Sequence, residues 1–368
     1  LGLNLTIEKT TKNSHFEGKK ALKLAFIQSF LPPKSHGGVG YFTHYFANEM
    51  VKRGHTVTIF SLHPPSAMAL YRVNQLELPV RWQKNKLANV FLFSWLVARQ
   101  DYRDFDLIHA QGDDFLLLPF VRKKPLVRTF SGSALAEAIH SQSWKNRLVQ
   151  AVFYPLEWLS GGLAQARVGI SKATCHHLPF VKTVIPQGVD LRAFAPSEVK
   201  SVQPTILFVG HKLTDRKRGS LLVELFKREI LAVLPSAELW LVCEDKISHP
   251  NIKCFSHLSE STLADLYRQA WVFCLPSSYE GFGRPYIEAM ACGTPVVATP
   301  NLGAREVLAN GQYGLVVDEG DLANSLLTLL QNPEKRAELS RAGLRRATEF
   351  SWQKIAEAYE AVYRQVLK

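Results

Sequence analysis

Two carboxylates eight positions apart, Glu280 and Glu288, bracket the segment GFGRPYI. Gly281 and Gly283 leave a backbone that a ligand can approach closely. Pro285 suits the first position of a helix, where a missing N–H costs nothing. The N–H groups of Phe282, Gly283 and Arg284 then lack partners inside the helix, with the positive end of its dipole behind them. The expected result is an anion site with two acids beside it. A sugar nucleotide suits such a place: its diphosphate takes the N–H groups, and its hydroxyls donate to the carboxylates. Taken alone, the pair is better read as turn glycines and a Glu288 that merely complements the helix dipole, worth about 0.3–1 kcal/mol; the surrounding residues reverse that preference.

The elements that must hold these acids follow from the pattern around them. Trp271–Leu275 is an apolar run of strand length, Pro276–Arg284 is rich in turn residues, and Pro285–Cys292 reads as a helix stopped by Gly293. Pro295–Ala298 resumes a buried strand, and Pro300–Gly303 turns into a helix from about Ala304. Upstream, Thr205–Val209 reads as a strand and Ser220 to about Leu231 as a helix. The loop between them carries His211, Lys212, Arg216, Lys217 and Arg218. Cations fixed there would stabilise charge growing on a leaving diphosphate.

In the first half, Leu22–Phe30 reads as a strand, Val39–Arg53 as a helix with Phe42, Phe46 and Met50 on one face, and Thr56–Phe60 as the next strand. This βαβ unit predicts a parallel sheet. The turn before its helix contains Gly37 and Gly38, whose N–H groups can face a phosphate. Further strands are expected at Asp106–Ala110, Pro125–Phe130 and Val168–Ile170, with Ser171 capping a helix.

The string EGFGRPYIEAMACGTPVVA resembles the signature of retaining glycosyltransferases of the GT-B fold, specifically family GT4. The resemblance implies an α/β protein of two Rossmann-like domains facing across a cleft, with the C-terminal helix crossing back to the first domain. The expected division is a loose tail at 1–20, an acceptor domain at 21–195 joined by the helix 351–368, and a donor domain at 204–350. The expected activity is metal-independent, retaining transfer of a sugar from a UDP-, GDP- or ADP-sugar, with no further cofactor. Glu288 would hold the ribose, and Glu280 would bind the sugar beside its anomeric carbon. Lys212 and Arg218, with Lys217 as the alternative to Arg218, would stabilise the departing diphosphate together with Phe282, Gly283 and Arg284. Gly37 and Gly38 would face it from the other domain. Ser131 and Gln111 stand where family members often carry histidines, and Ser131 offers one shorter hydrogen bond to the transferred sugar. Non-catalytic nucleotide-sugar binding and nucleotide-sugar epimerisation are the alternatives on the same fold.

Composition bounds the partners. Residues 1–197 carry 24 Lys and Arg against 12 Asp and Glu, whereas 198–368 carry 20 of each, so the first half holds the whole excess of +12. Such a field attracts anions, hence a phosphorylated or lipid-linked acceptor and an anionic membrane surface. No nucleic-acid motif accompanies the charge, so nucleic acid is not an expected partner. Two mixed aromatic and basic stretches, Arg81–Trp95 and Ser141–Leu159, fit either a membrane surface or amphipathic helices on the core, and the core is the expected place. The pair Asp113–Asp114 lacks further ligands at metal spacing, so no metal is expected. No run approaches the ~20 apolar residues of a membrane span. Five cysteines without C-x-x-C spacing and no recognisable signal peptide point to a reducing, cytoplasmic setting, peripheral at the inner membrane face.

Overall fold

The computed structural model describes residues 20–32, 38–79, 86–112, 114–117, 124–141, 143–214 and 216–368. The expectations for Gly37, Asp113, Trp82 and the tail at 1–19 lie outside the described residues. Strands β1 (Lys23–Ile27), β2 (Thr56–Ser61), β3 (Arg72–Gln75), β4 (Leu107–Ala110), β5 (Leu126–Phe130), β6 (Ala166–Gly169) and β7 (Thr183–Val184) form one parallel sheet in the order β3-β2-β1-β4-β5-β6-β7. Helices α1 (Gly38–Lys52), α2 (Lys86–Ala98), α3 (Ala134–His140), α4 (Trp144–Leu163) and α5 (Lys172–His177) connect them.

A second parallel sheet runs β10-β9-β8-β11-β12-β13, built from β8 (Thr205–Val209), β9 (Glu238–Val242), β10 (Ile252–Phe255), β11 (Val272–Leu275), β12 (Val296–Ala298) and β13 (Leu315–Val316). Its helices are α6 (Gly219–Leu225), α7 (Leu231–Val233), α8 (Glu260–Gln269), α9 (Arg284–Ala291), α10 (Leu302–Val307), α11 (Leu322–Gln331) and α12 (Pro333–Ala347). The expected single helix over Ser220–Leu231 instead holds a π-helical turn, Phe226–Ile230, between α6 and α7. The central strands are buried along their length, as a parallel sheet covered by helices on both faces requires.

The chain then returns. After a break at Phe350 and Ser351, α13 (Trp352–Val366) packs on the first sheet, burying Trp352, Ile355, Tyr359, Val362 and Tyr363 against Phe42, Phe46 and Val127. A bridge between Val189 and Ser351 fixes the crossing, and Val189 N donates to Phe350 O at 2.9 Å.

Each sheet reverses its strand order once, between β1 and β4 and between β8 and β11. Ligands of open α/β sheets bind beyond the carboxyl ends of strands at such reversals. The loops that leave β1, β4, β8 and β11 carry Gly38, Gln111, the basic segment and Glu280 respectively.

Candidate active site between the two sheets

The loop after β11 is held from beneath. Thr299 Oγ and Asn301 Nδ2 donate to Ser277 O at 2.9 and 3.1 Å, and Ser277 Oγ donates to Glu280 Oε1 at 2.9 Å. Asn301 also caps α10, accepting from Ala304 N at 2.9 Å. A Cβ on Gly303 would stand 2.6 Å from Glu280 O and 2.9 Å from Phe282 O, so only glycine lets α10 support the loop this closely. Phe282 is buried, its ring near that of Phe350 with centroids 5.6 Å apart. Gly283 takes φ +95 as the residue before α9, a conformation other residues rarely adopt. The N–H groups of Phe282, Gly283 and Arg284 donate to no acceptor among the described residues.

Glu288 lies one turn into α9. Its Oε1 pairs with Arg284 Nε at 2.7 Å, and its Oε2 accepts from Tyr267 OH at 3.1 Å. Burial, together with this carboxylate, pushes the Tyr267 phenol well above its ordinary pKa. The Arg284 guanidinium also lies over the rings of Tyr41 and Tyr45 on α1, 5.5 and 5.6 Å from their centroids. A cation at the first residue of a helix opposes the helix dipole. Its ties to Glu288 and to the α1 aromatics hold it there.

The first sheet supplies the facing wall. Ser131 O would be 3.7 Å from a Cβ on Gly281, which sets the loop after β5 against the loop after β11. Ser131 Oγ and Gln111 Nε2 are buried polar atoms without a partner among the described residues. Gln111 Oε1 accepts from Thr43 Oγ at 2.6 Å, which fixes that side chain against α1. On α3, Glu137 pairs with Arg216 at 2.9 Å, and His140 stacks on Tyr279 at 4.5 Å with an interplanar angle of 9°. Ser171 Oγ donates to Gly281 O, and Lys172 N donates to Glu306 Oε2 at 2.7 Å.

A cleft of about 910 Å³ opens between the two walls, lined among others by Gly38, Tyr41, Glu137, His140, Arg216 and Lys217. Neither Glu280 nor Glu288 lines it. Each is 5% exposed, Glu280 in the field of Arg216 and Glu288 against Arg284. Burial by itself would lower the Arg216 pKa, but Glu280 and Glu137 raise it on balance, so the guanidinium stays charged.

The basic loop sorts its cations differently from the sequence expectation. Lys212 is exposed and does not line the cleft. Arg218 takes a left-handed backbone, φ 56 and ψ 40, and turns to an ion pair with Glu319. Lys217, the expected alternative to Arg218, lines the cleft, and Arg216 lines it beside Lys217. Arg216 is fixed through its carbonyl, which accepts from Ser278 N at 2.9 Å, and Lys217 Nζ donates to Val209 O at 3.0 Å. Sequence reading passed over Arg216, Tyr279, Glu137 and His140. The only signal was the run of three bases before Gly219, and residue type does not say which of them points inward. Asp114 is buried in an ion pair with Arg128, and no group of three or more metal-ligating side chains exists among the described residues.

Residues 36–193 match the family model described as Glycosyltransferase Family 4, and residues 192–346 match the model described as Glycosyl transferases group 1. Together they span both sheets and the cleft. The chain belongs to glycosyltransferase family 4. This glycosyltransferase is 28% identical to an MMP alpha-(1->4)-mannosyltransferase of Mycolicibacterium hassiacum, over 91% of this chain and 96% of that protein. For several further relatives the match covers only about half of their length. Among solved structures, sucrose-phosphate synthase from Thermosynechococcus elongatus superposes with a TM-score of 0.75 at 20% identity, covering 94% of this chain and 99% of that one. Anabaena HepE in complex with UDP-glucose gives 0.71 at 18% identity, covering 93% and 99%. These likenesses establish the GT-B fold for the glycosyltransferase.

Proposed function

We propose that this glycosyltransferase moves a sugar, with retention at the anomeric carbon and without a bound metal, from a nucleotide-diphosphate sugar to a phosphorylated or lipid-linked acceptor. The observation that carries the reading is that Arg216 and Lys217 line the cleft, while Arg216 is tied through Ser278 N to the loop that ends at α9 and stands in the field of Glu280. Two fixed cations and a row of free N–H groups can neutralise a departing diphosphate without reorganising. Glu280, oriented by Ser277, accepts hydrogen bonds from the sugar hydroxyls. Glu288 accepts from the ribose, sharing its carboxylate with Arg284. Ser131 Oγ and Gln111 Nε2 supply unpaired polar groups from the opposite wall. The bond from the anomeric carbon to the diphosphate breaks, the acceptor oxygen bonds to that carbon from the same face, and its proton passes to a donor phosphate oxygen. The UDP-glucose complex of HepE supports a nucleotide-diphosphate sugar as donor, for which UDP-, GDP- and ADP-sugars are the candidates. The basic first half of the chain supports an anionic acceptor and a place at the cytoplasmic face of a membrane.

We take the two domains as 21–195 with 351–368 and 204–350, so that the helical return at α13 ties acceptor to donor domain. A chromatographic assay of nucleoside diphosphate released from UDP-, GDP- and ADP-sugars, with and without phosphorylated or lipid-linked acceptors, tests the reading. Release that depends on an acceptor is expected. Donor consumed without acceptor to give an isomeric nucleotide sugar would mean epimerisation, and donor bound but never consumed would mean a binding protein.

A further inference from the structure

Helix α4 is twenty residues long and half bare. Trp144, Leu148, Val152 and Leu159 are 67, 60, 48 and 46% exposed. At 3.6 residues per turn they fall within an arc of about 80°. Lys145 and Arg147 are exposed on the two sides of that arc. The one acid of the helix, Glu157, turns inward, where its carboxylate accepts from Ala134 N at 3.0 and 3.1 Å. The opposite face buries Ser160 and Gly161. The outer face is thus an apolar stripe with bases at its edges and no acid. The expectation that Ser141–Leu159 packs its aromatic residues on the core holds for Tyr154 and Trp158, which lie against Phe180, and fails for Trp144.

The stripe starts at the cleft. Ser143 caps α4 and Asn146 lies in its first turn, and both line the cavity beside Glu137 and His140 of α3. Trp144 stands between them and faces outward. On α3, Ile139 is 56% exposed next to the same rim.

We infer that α4 seats this glycosyltransferase on an anionic phospholipid surface, with the mouth of the cleft at the headgroups. Large apolar side chains enter the acyl boundary, and flanking bases meet anionic lipid. The charge of the first half, 24 basic against 12 acidic residues, complements that surface. A second copy seated with its α4 parallel would bring the Lys145 and Arg147 edges together, whereas anionic lipid neutralises them. For its purpose the inference rests on the proposed transfer to a lipid-held acceptor, since docking would bring such an acceptor to the cleft; its evidence is the stripe itself.

Co-sedimentation of the full chain with phosphatidylcholine vesicles, with and without phosphatidylglycerol, tests it. The wild-type protein should pellet with the anionic vesicles and stay in solution with the neutral ones. The double variant Trp144→Glu, Leu148→Glu changes exposed residues and should keep the wild-type Tm. It should bind the anionic vesicles at least about tenfold more weakly. Wild type that binds neither vesicle, a variant that binds like wild type, or a wild-type dimer that the variant dissolves in sedimentation velocity would each overturn the inference. Thermal stabilisation by UDP, GDP and ADP on the same samples reports the donor site separately. Lost vesicle binding with retained nucleotide stabilisation refutes the docking and leaves the transferase reading standing, and the reverse result does the opposite.

Discussion

Glu280 is held through two layers of hydrogen bonds. Ser277 fixes its carboxylate, and Thr299 and Asn301 fix Ser277. A carboxylate oriented in this way interacts with a substrate without first reorganising. Glu280→Gln keeps the shape and removes the charge, so transfer should fall about a hundredfold or more while nucleotide binding stays near wild type. Steady-state turnover set beside calorimetric nucleotide titration checks this, and near-full turnover would remove Glu280 from its role. The basic loop gives a sharper contrast. Arg216→Ala should weaken nucleoside diphosphate binding by about tenfold or more, the value of a charge-assisted hydrogen bond. Arg218→Ala should leave binding within about twofold, because its pair with Glu319 is partly exposed and worth roughly 0–1 kcal/mol. Residue types told only that bases crowd this loop. Arg218 takes a left-handed backbone and pairs with Glu319, and nothing in an Arg side chain announces that conformation.

At the scale of elements, the loop after β11 and helix α10 behave as one piece. Gly303→Ala puts a methyl group against Glu280 O and Phe282 O, and overpacking of this kind costs typically 1–3 kcal/mol. The expected outcome is a lower Tm together with a loss of transfer comparable to that of Glu280→Gln; full activity would show that the loop tolerates displacement. The two walls of the cleft are tied across α3 by the Glu137–Arg216 pair, whose side chains are 43 and 33% exposed, and by the stack of His140 on Tyr279. Contacts of this kind contribute about 1 kcal/mol each. Glu157 links α4 to α3. Burial raises its pKa from 4.5 to about 7, although the Ala134 N–H and Arg128 oppose the shift. The folded state therefore holds this proton more tightly than the unfolded chain. The contribution to stability is full below about pH 4.5 and is lost as pH rises toward 7. Glu157→Gln should accordingly flatten the dependence of Tm on pH across that window, and an unchanged slope would assign the dependence elsewhere. The helix at Ser141–Leu159 was legible as amphipathic. Which face met the core was not, because aromatic and basic residues alternate on both sides of it.

For the whole molecule, the βαβ unit at 22–60 predicted one parallel sheet, and the resemblance of EGFGRPYIEAMACGTPVVA to the family signature implied the second. The strand βαβ pattern at 22–60 and the run Trp271–Ala298 both fold as expected, to within three residues at their ends. The strand order, and with it the placement of both reversals over one cleft, is set by long-range pairing that no local pattern encodes. The return of α13 is secured from within. His109 is fully buried, its Nδ1 2.6 Å from Tyr363 OH and its Nε2 2.8 Å from Thr129 Oγ. Burial lowers its pKa from 6.5 to about 3. The unfolded chain takes up this proton first, so the contribution of His109 is intact above pH 6.5 and is lost as pH falls toward 3. His109→Gln should make unfolding less sensitive to acid in that range and should lower Tm at neutral pH, as read by circular dichroism.

The account stands on the cleft between the two sheets being a nucleotide-sugar site whose diphosphate rests on Arg216, Lys217 and the N-terminus of α9. Thermal stabilisation of the wild-type chain and of Arg216→Ala by UDP, GDP and ADP tests this most directly. At least one of the three should raise the wild-type Tm in a concentration-dependent way, and the variant should lose most of that rise. No stabilisation by any of them, or an equal rise in both proteins, would contradict it.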